Sequence, residues 1–386
     1  MTVLRLFFEN LEKTCEINSV KILSSFRVNR VSDTHFGVST GYGYSNSGRT
    51  ILNKVFADSF GAEDALVSEN FVSGTHAIST AIFGVIKPKQ SILFVTGKPY
   101  DTLEQIINGK DCCSLKDLQV TCTICDHSHE DISGYLERKP EVVYIQRSRG
   151  YTLRKSLCIG DIEILIKKIK EISPESIVLV DNCYGEFVEE REPTEVGADL
   201  IVGSLIKNPG AGIAPSGGYI AGRSDLINLC KQRFLAPGLL DIGPSNHNRE
   251  LFMGLYYSPL AVREALKTSI FASHLFEKSG FEVSPRYFEK RADIITSINL
   301  KSEKNLRIFC ESIQNYSPVD SFVVPEPWKM PGYDHDIIMA AGGFISGSSI
   351  ELSADAPVKE PYTVWFQGGT NFYLSKLALL EAVSRF

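Results

Sequence analysis

The chain has 386 residues, 43% hydrophobic and 22% charged, with a net charge of −6 at neutral pH. That length can bury a large core, as one big domain with a smaller companion or as two similar domains, and its scattered Lys and Arg residues exclude the basic stripe of a nucleic-acid binder. No apolar run approaches the roughly 18 residues of a membrane span, and Met-Thr-Val-Leu-Arg-Leu lacks the apolar core of a signal peptide; with nine cysteines, an odd number, reduced thiols in the cytoplasm are expected.

Residues 1–60 read as helical and then irregular, with a Gly-rich segment from Thr40 to Arg49. From about residue 65 strands and helices alternate. The expected strands are Ile92–Thr96, Val120–Cys125, Val142–Gln146, Ile177–Asp181, Leu200–Gly203 and Tyr219–Ala221, each short, apolar and bounded by Gly, Pro or charge. Between them Ile162, Leu165, Ile166, Ile169 and Ile172 make one helical stripe. This alternation predicts an α/β fold with a mostly parallel sheet covered by helices on both faces. The C-x2-C pair Cys122 and Cys125 lies in an alternating apolar run, so buried strand cysteines are preferred to zinc ligands and no metal is expected. A long helix is expected from near Pro259 to Lys278, then a Pro-rich stretch from Ser317 to Pro331. The expected organisation is an N-terminal segment over 1–60, a large domain over 61–260 and a smaller α+β domain over 261–386.

Three motifs carry chemistry. Val72-Ser73-Gly74-Thr75-His76-Ala77 follows an apolar run and opens a helix, so its free N–H groups suit a phosphate; the plainer reading is an N-cap alone. Ile177-Val-Leu-Val-Asp181 ends a strand in a carboxylate, where doubly wound sheets collect ligands; it could meet a metal, a ribose or a protonated ring nitrogen, or merely cap the next turn. Gly203-Ser204-Leu-Ile-Lys207-Asn-Pro sets a lone amine after a strand and a hydroxyl. Burial is expected to lower the pKa of Lys207 and suit it to Schiff-base chemistry, against the alternative of a surface lysine at a turn. Together they supply what pyridoxal 5′-phosphate (PLP) needs: a phosphate cradle, an acid for the pyridine nitrogen and an amine. Gly37-Val-Ser39-Thr-Gly41 matches a hydrolase G-x-S-x-G only literally, since no strand-to-helix elbow surrounds it. No dinucleotide fingerprint or Walker A sequence is present.

The sequence resembles the methionine gamma-lyase-like, aluminium resistance group of PLP proteins along nearly its whole length. The resemblance rests on Thr40-Gly-Tyr-Gly-Tyr44 with Gly48-Arg49, Ser73-Gly-Thr-His-Ala-Ile78, Gly97-Lys-Pro-Tyr-Asp-Thr102 and Gln146-Arg-Ser-Arg-Gly-Tyr151. It continues through Val180-Asp-Asn-Cys-Tyr-Gly-Glu-Phe187, Gly203-Ser-Leu-Ile-Lys-Asn-Pro209, Met330-Pro-Gly-Tyr333, Glu351-Leu-Ser-Ala-Asp355 and Gln367-Gly-Gly369. It implies the fold-type I PLP architecture, a homodimer or homotetramer, and active sites shared between subunits. By the same likeness Lys207 bonds the cofactor, Asp181 pairs with its ring nitrogen, and Ser73, Gly74, Thr75 and Ser204 hold its phosphate. Tyr100 would stack on the ring, with His76 as a rival, while Tyr44 and Arg49 would reach the phosphate from the neighbouring subunit. The chain departs from the group's pattern at Asn46, Ser68, Ala211 and Lys359. Two of these, Ser68 and Lys359, replace arginines, and Lys does not reproduce a bidentate fork for a substrate carboxylate.

The activity this implies is a carbon–sulfur lyase acting on a sulfur amino acid, with Lys207, Tyr100 and Asp181 catalytic. The same cradle serves transamination, aldol cleavage or replacement, and a non-catalytic resistance or regulatory protein is the alternative of another class. The expected partner is a small amino-acid substrate, without nucleic acid or membrane.

Overall fold

A computed structural model describes residues 2–41, 46–110, 113–240, 243–329 and 335–386. In chain order it contains helices α1 (Arg5–Val28) and α2 (Ser47–Ser59), strand β1 (Asp64–Ser68), α3 (Gly74–Val85), β2 (Ser91–Phe94), α4 (Asp101–Asn108), β3 (Thr121–Ile124) and α5 (Ser133–Leu136). Next come β4 (Val142–Gln146), α6 (Ile159–Ile172), β5 (Ile177–Asp181), β6 (Leu200–Ser204), β7 (Gly218–Gly222), α7 (Ser224–Phe234) and α8 (Asn248–Lys278). The remainder holds β8 (Glu282–Ser284), β9 (Ile295–Asn299), α9 (Glu303–Asn315), β10 (Trp328–Lys329), β11 (Asp336–Ala340), β12 (Ser353–Pro357), β13 (Thr363–Gln367) and α10 (Phe372–Ser384).

Seven strands form one sheet in the order β1-β7-β6-β5-β4-β2-β3. The pairs β2–β3, β2–β4, β4–β5 and β5–β6 are parallel, and β7 runs antiparallel to both β1 and β6. The alternate residues of each central strand go to opposite faces. Val143, Ile145, Val178, Val180 and Ile201 join the core under α2, α6 and α8, while Val142, Tyr144, Leu179, Leu200 and Val202 join the one under α3 and α7. Burial on both faces explains why these strands read as unbroken apolar runs.

The second sheet is wholly antiparallel, in the order β10-β11-β12-β13-β9-β8, with α8 and α9 against it and α10 packed on those two helices. The long helix was expected to begin near Pro259, but α8 begins at Asn248 and runs through that proline. Pro259 forfeits one helical hydrogen bond, and packing outweighs that loss. Leu251, Phe252, Leu255 and Val262 around it are buried, and Gly254 sits so close to Gly210 that an added Cβ would lie 2.7–3.0 Å from its backbone. Helix α1 bridges both sheets: Ile22 packs in the larger core, while the Phe8 ring meets Phe372 of the smaller one edge-on at 5.4 Å. Among the described residues no helix is long and apolar enough to cross a membrane.

Candidate active site

In a parallel sheet the strand carboxyl ends and the following helix N-termini point to one rim. Here that rim gathers the turn after β1, the turn after β2, Asp181 at the end of β5, and Ser204 and Lys207 at the end of β6. They surround a cavity of about 360 Å³ lined by Ser73, Gly74, Thr75, Tyr100, Ser204 and Lys207, among others.

Ser73 caps α3, its Oγ accepting the His76 N–H at 3.1 Å, and Thr75 Oγ1 donates to Thr102 Oγ1 at 3.2 Å. The first-turn N–H groups of α3 have no partner within the helix. Gly74 allows this terminus to approach β6, because a Cβ there would sit 3.1 Å from the Ser204 Cβ. Ser204 Oγ is buried without a hydrogen-bond partner. A buried orphan hydroxyl facing a helix N-terminus is a vacancy in a hydrogen-bond set that an anion's oxygens complete.

Asp181 is buried, its Oδ1 accepting the Cys183 N–H and its Oδ2 the Tyr144 hydroxyl, each at 3.1 Å. Burial pushes its carboxyl upward, while the Cys183 N–H and the charge of Lys207 favour the carboxylate. Lys207 Nζ lies 3.7 Å from the centre of the Tyr184 ring. Tyr184 has a left-handed backbone (φ 67°). Its hydroxyl donates to Ser348 O at 3.2 Å and accepts from Gln367 Nε2 at 2.9 Å, both in the second-sheet region. The expected lowering of the Lys207 pKa is corrected. Burial does pull it down, but Tyr184, Cys183 and Asp181 outweigh burial and raise it above the usual lysine value, because an ammonium over an aromatic face and near a carboxylate is stabilised.

Tyr100 lines the cavity, with its ring against Gly150, whose added Cβ would fall 2.6 Å from Tyr100 Cε1. Its hydroxyl is buried without a partner, and burial, with Asp181 nearby, raises its pKa well above the usual phenol value. His76 turns away from the cavity: its Nδ1 accepts the Val72 N–H at 3.3 Å and its ring meets Phe71 edge-on at 5.3 Å. Arg49 does not line the cavity of its own chain; its Nη1 donates to Gly243 O at 2.6 Å. Tyr44 and the Met330-Pro-Gly-Tyr333 motif lie outside the described residues. Cys122 is half-buried and Cys125 buried, and burial lifts both thiols to about 11.

The motif reading overlooked Tyr184, Ser216, Ser348, Asp355 and Gln367, which also line the cavity. Tyr184, Asp355 and Gln367 each stand inside a stretch that carries the family resemblance, but no role was assigned to them there. The residues present fit PLP: the orphan Ser204 hydroxyl and α3 terminus suit its phosphate, Asp181 its ring nitrogen and Lys207 its aldehyde.

The sheet order, the rim and the second antiparallel sheet define the fold-type I class of PLP-dependent proteins. A cystathionine gamma synthase from Xanthomonas oryzae shares the fold with a TM-score of 0.68 at 14% identity, over 95% of this chain and 98% of that one. More specifically, the chain belongs to the family described as methionine gamma-lyase, whose model matches residues 2–386. A Clostridium novyi structure described as a carbon-sulfur lyase involved in aluminum resistance is 43% identical, with a TM-score of 0.94, over 100% of this chain and 93% of that one. A Listeria innocua structure, described as a candidate cystathionine beta-lyase involved in aluminum resistance, is 42% identical with a TM-score of 0.96, over 99% and 96% of the two chains. The uncharacterized Bacillus subtilis protein YnbB is 44% identical over 97% of this chain and 92% of its own.

Proposed function

We propose that the protein is a PLP-dependent lyase that cleaves a carbon–sulfur bond of a sulfur-containing amino acid. The observation that carries this reading is the convergence of Lys207 and the Ser73–Thr75 turn with Ser204 on one cavity, with Asp181 buried beside it at the end of β5. The family and the Clostridium novyi relative support the lyase assignment.

Bound PLP supplies an electron sink for the pair released at the substrate Cα. Lys207 would hold it covalently, and its Nζ amine is the group placed to take the substrate's Cα proton. Asp181, which accepts the Tyr144 hydroxyl and the Cys183 N–H, would pair with the ring nitrogen and favour its protonated form. Ser204 Oγ and the α3 N–H groups would anchor the phosphate. Tyr100 would set its flat face against the ring, and its raised pKa keeps its hydroxyl protonated, as a hydrogen-bond donor to a departing sulfur. The assembly is proposed to be a homodimer or homotetramer in which Tyr44 and Arg49 of one subunit reach the phosphate of the other. A cytoplasmic location is proposed with it, on the odd number of cysteines and the reduced thiols that it suggests.

The test has two parts. Borohydride treatment of the yellow purified protein is expected to fix the cofactor on the peptide containing Lys207; a label on another lysine overturns the site. Incubation with methionine, cystathionine or cysteine is expected to release ammonia, a ketoacid and a thiol, or hydrogen sulfide in the case of cysteine. Amino-group transfer to the cofactor without loss of sulfur would instead favour transamination.

A further inference from the structure

Lys207 Nζ stands 3.7 Å from the centre of the Tyr184 ring. Among the described residues its contact partner is this ring rather than a carboxylate; Asp181, Glu186 and Asp355 act on it through space. Tyr184 is buried and lines the same cavity. Its backbone is left-handed, at φ 67°, a conformation that costs a non-glycine residue energy and persists where the surroundings impose it. Here the second-sheet region imposes it: the hydroxyl donates to Ser348 O at 3.2 Å and accepts from Gln367 Nε2 at 2.9 Å. The turn after β5 and these two bonds together hold the face of the ring toward Nζ.

As the base, Lys207 takes the substrate's Cα proton. The Cα–H bond breaks, its electron pair passes into the cofactor, and an Nζ–H bond forms, so an uncharged amine becomes an ammonium. Whatever stabilises that new charge in a site shielded from water favours the step. Asp181 is committed to the ring nitrogen, and burial shifts the Asp355 and Glu186 carboxyls toward their neutral forms. The negative face of an aromatic ring stabilises an ammonium at any pH, because the ring carries no proton there to gain or lose.

We propose that Tyr184 is a positioning residue for proton transfer: its ring face seats the Lys207 ammonium as it forms, and its hydroxyl bonds to Ser348 and Gln367 fix that seat on the cavity wall. This rests on Lys207 being the base, and holds whether or not sulfur leaves afterwards.

Tyr184→Phe keeps the ring face and removes the hydroxyl. Tyr184→Leu fills the space without a π face, and Tyr184→Met repeats that change should the leucine variant not fold. The first measurement uses apoenzyme and follows labelling of the Lys207 peptide by trinitrobenzenesulfonate, which needs the uncharged amine. In Tyr184→Leu the pH profile of labelling is expected to move down by about one unit, making the reaction roughly tenfold faster on the rising limb, while Tyr184→Phe stays within about threefold of the wild type. A merely more accessible lysine would react faster at every pH without moving the profile. The second measurement uses holoenzyme and follows exchange of the Cα proton of L-norleucine, which has no sulfur to lose, for solvent deuterium. Exchange at saturating norleucine should fall by roughly tenfold or more in Tyr184→Leu and by no more than about threefold in Tyr184→Phe. Leucine and methionine variants with an unmoved labelling profile or undiminished exchange overturn the Tyr184 role and leave the lyase reading to its own test of thiol release. Equal losses in Tyr184→Phe and Tyr184→Leu overturn it too, by assigning the effect to the hydroxyl. An enzyme that releases no thiol, yet loses exchange and shifts its labelling profile only when the ring is removed, keeps Tyr184 and overturns the lyase reading instead.

Discussion

Asp181 takes one hydrogen bond on each oxygen, from the Cys183 N–H and the Tyr144 hydroxyl. Asn in its place keeps the volume and one acceptor, so the fold and cofactor site should persist while the charge opposite the ring nitrogen is lost. Asp181→Asn is therefore expected to retain bound PLP by absorbance yet lose on the order of 100-fold or more in turnover; undiminished turnover would refute the role. Glu186 is a second buried acid with a different fate. It is wholly buried, Tyr219 donates to its Oε1 at 2.9 Å, and its Oε2 has no partner. Burial, with Glu192 adding to it, raises its pKa from the ordinary 4.5 to about 8. Between those values the folded protein keeps a proton that the unfolded chain gives up, so Glu186 subtracts stability as pH rises from 4.5 toward 8, and the loss levels off above 8. The slope is at most about 1.4 kcal/mol per pH unit. Glu186→Gln, permanently neutral, should gain on the wild type in urea unfolding as pH goes from 5 to 8; parallel curves would show that Glu186 is ionised in the fold.

Helix α8 carries Gly254 against Gly210, three residues past Lys207, and Ser258 Oγ donates to Asn208 O at 2.7 Å. The helix thus supports the turn that aims Lys207. Gly254→Ala puts a methyl into backbone that cannot yield, and is expected to destabilise by roughly 1–3 kcal/mol and also to lower cofactor occupancy at fixed PLP. A variant with reduced melting temperature but full occupancy would separate α8 from the site. The same element shows what the sequence could convey. β4 to β7 are legible because both faces are buried and the apolar runs of β5 to β7 stop at Gly or an acid, which also brings Asp181, Ser204 and Lys207 to notice. The start of α8 is hidden because Pro259 imitates a first-turn proline, and only packing on 208–210 decides otherwise. Asp355 and Gln367 fall in stretches that carry the resemblance, but their place in the cavity is hidden for another reason. They lie in Ser-Ala-Asp-Ala-Pro and Val-Trp-Phe-Gln, strands buried throughout, and nothing local says that they will face a lysine some 150 residues earlier.

At the scale of the whole molecule the two sheets are coupled through the site. Ile350 N–H donates to Ile206 O at 3.2 Å, and the Tyr184 hydroxyl joins Ser348 and Gln367, so the Lys207 turn is braced from the second-sheet side. The segment around Arg49 is different. Arg49 holds Gly243 O, the Ser39–Ser245 bridge ties the same two stretches together, and Val38 and Val72 beside them are 73% and 82% exposed. This pairing forms a unit at the rim, outside the cavity that its own chain lines, as a segment offered to a second subunit would stand. A guanidinium there can fork onto the oxygens of the partner's phosphate. The decisive measurement mixes Arg49→Ala subunits with Lys207→Ala subunits, each inactive alone. In a hybrid dimer with a shared site, the intact Lys207 of one chain meets the intact Arg49 of the other, and one complete site returns. Activity approaching one site per hybrid dimer is expected. If subunits demonstrably exchange and the mixture stays as inactive as its parents, Arg49 serves its own chain and the shared site is wrong.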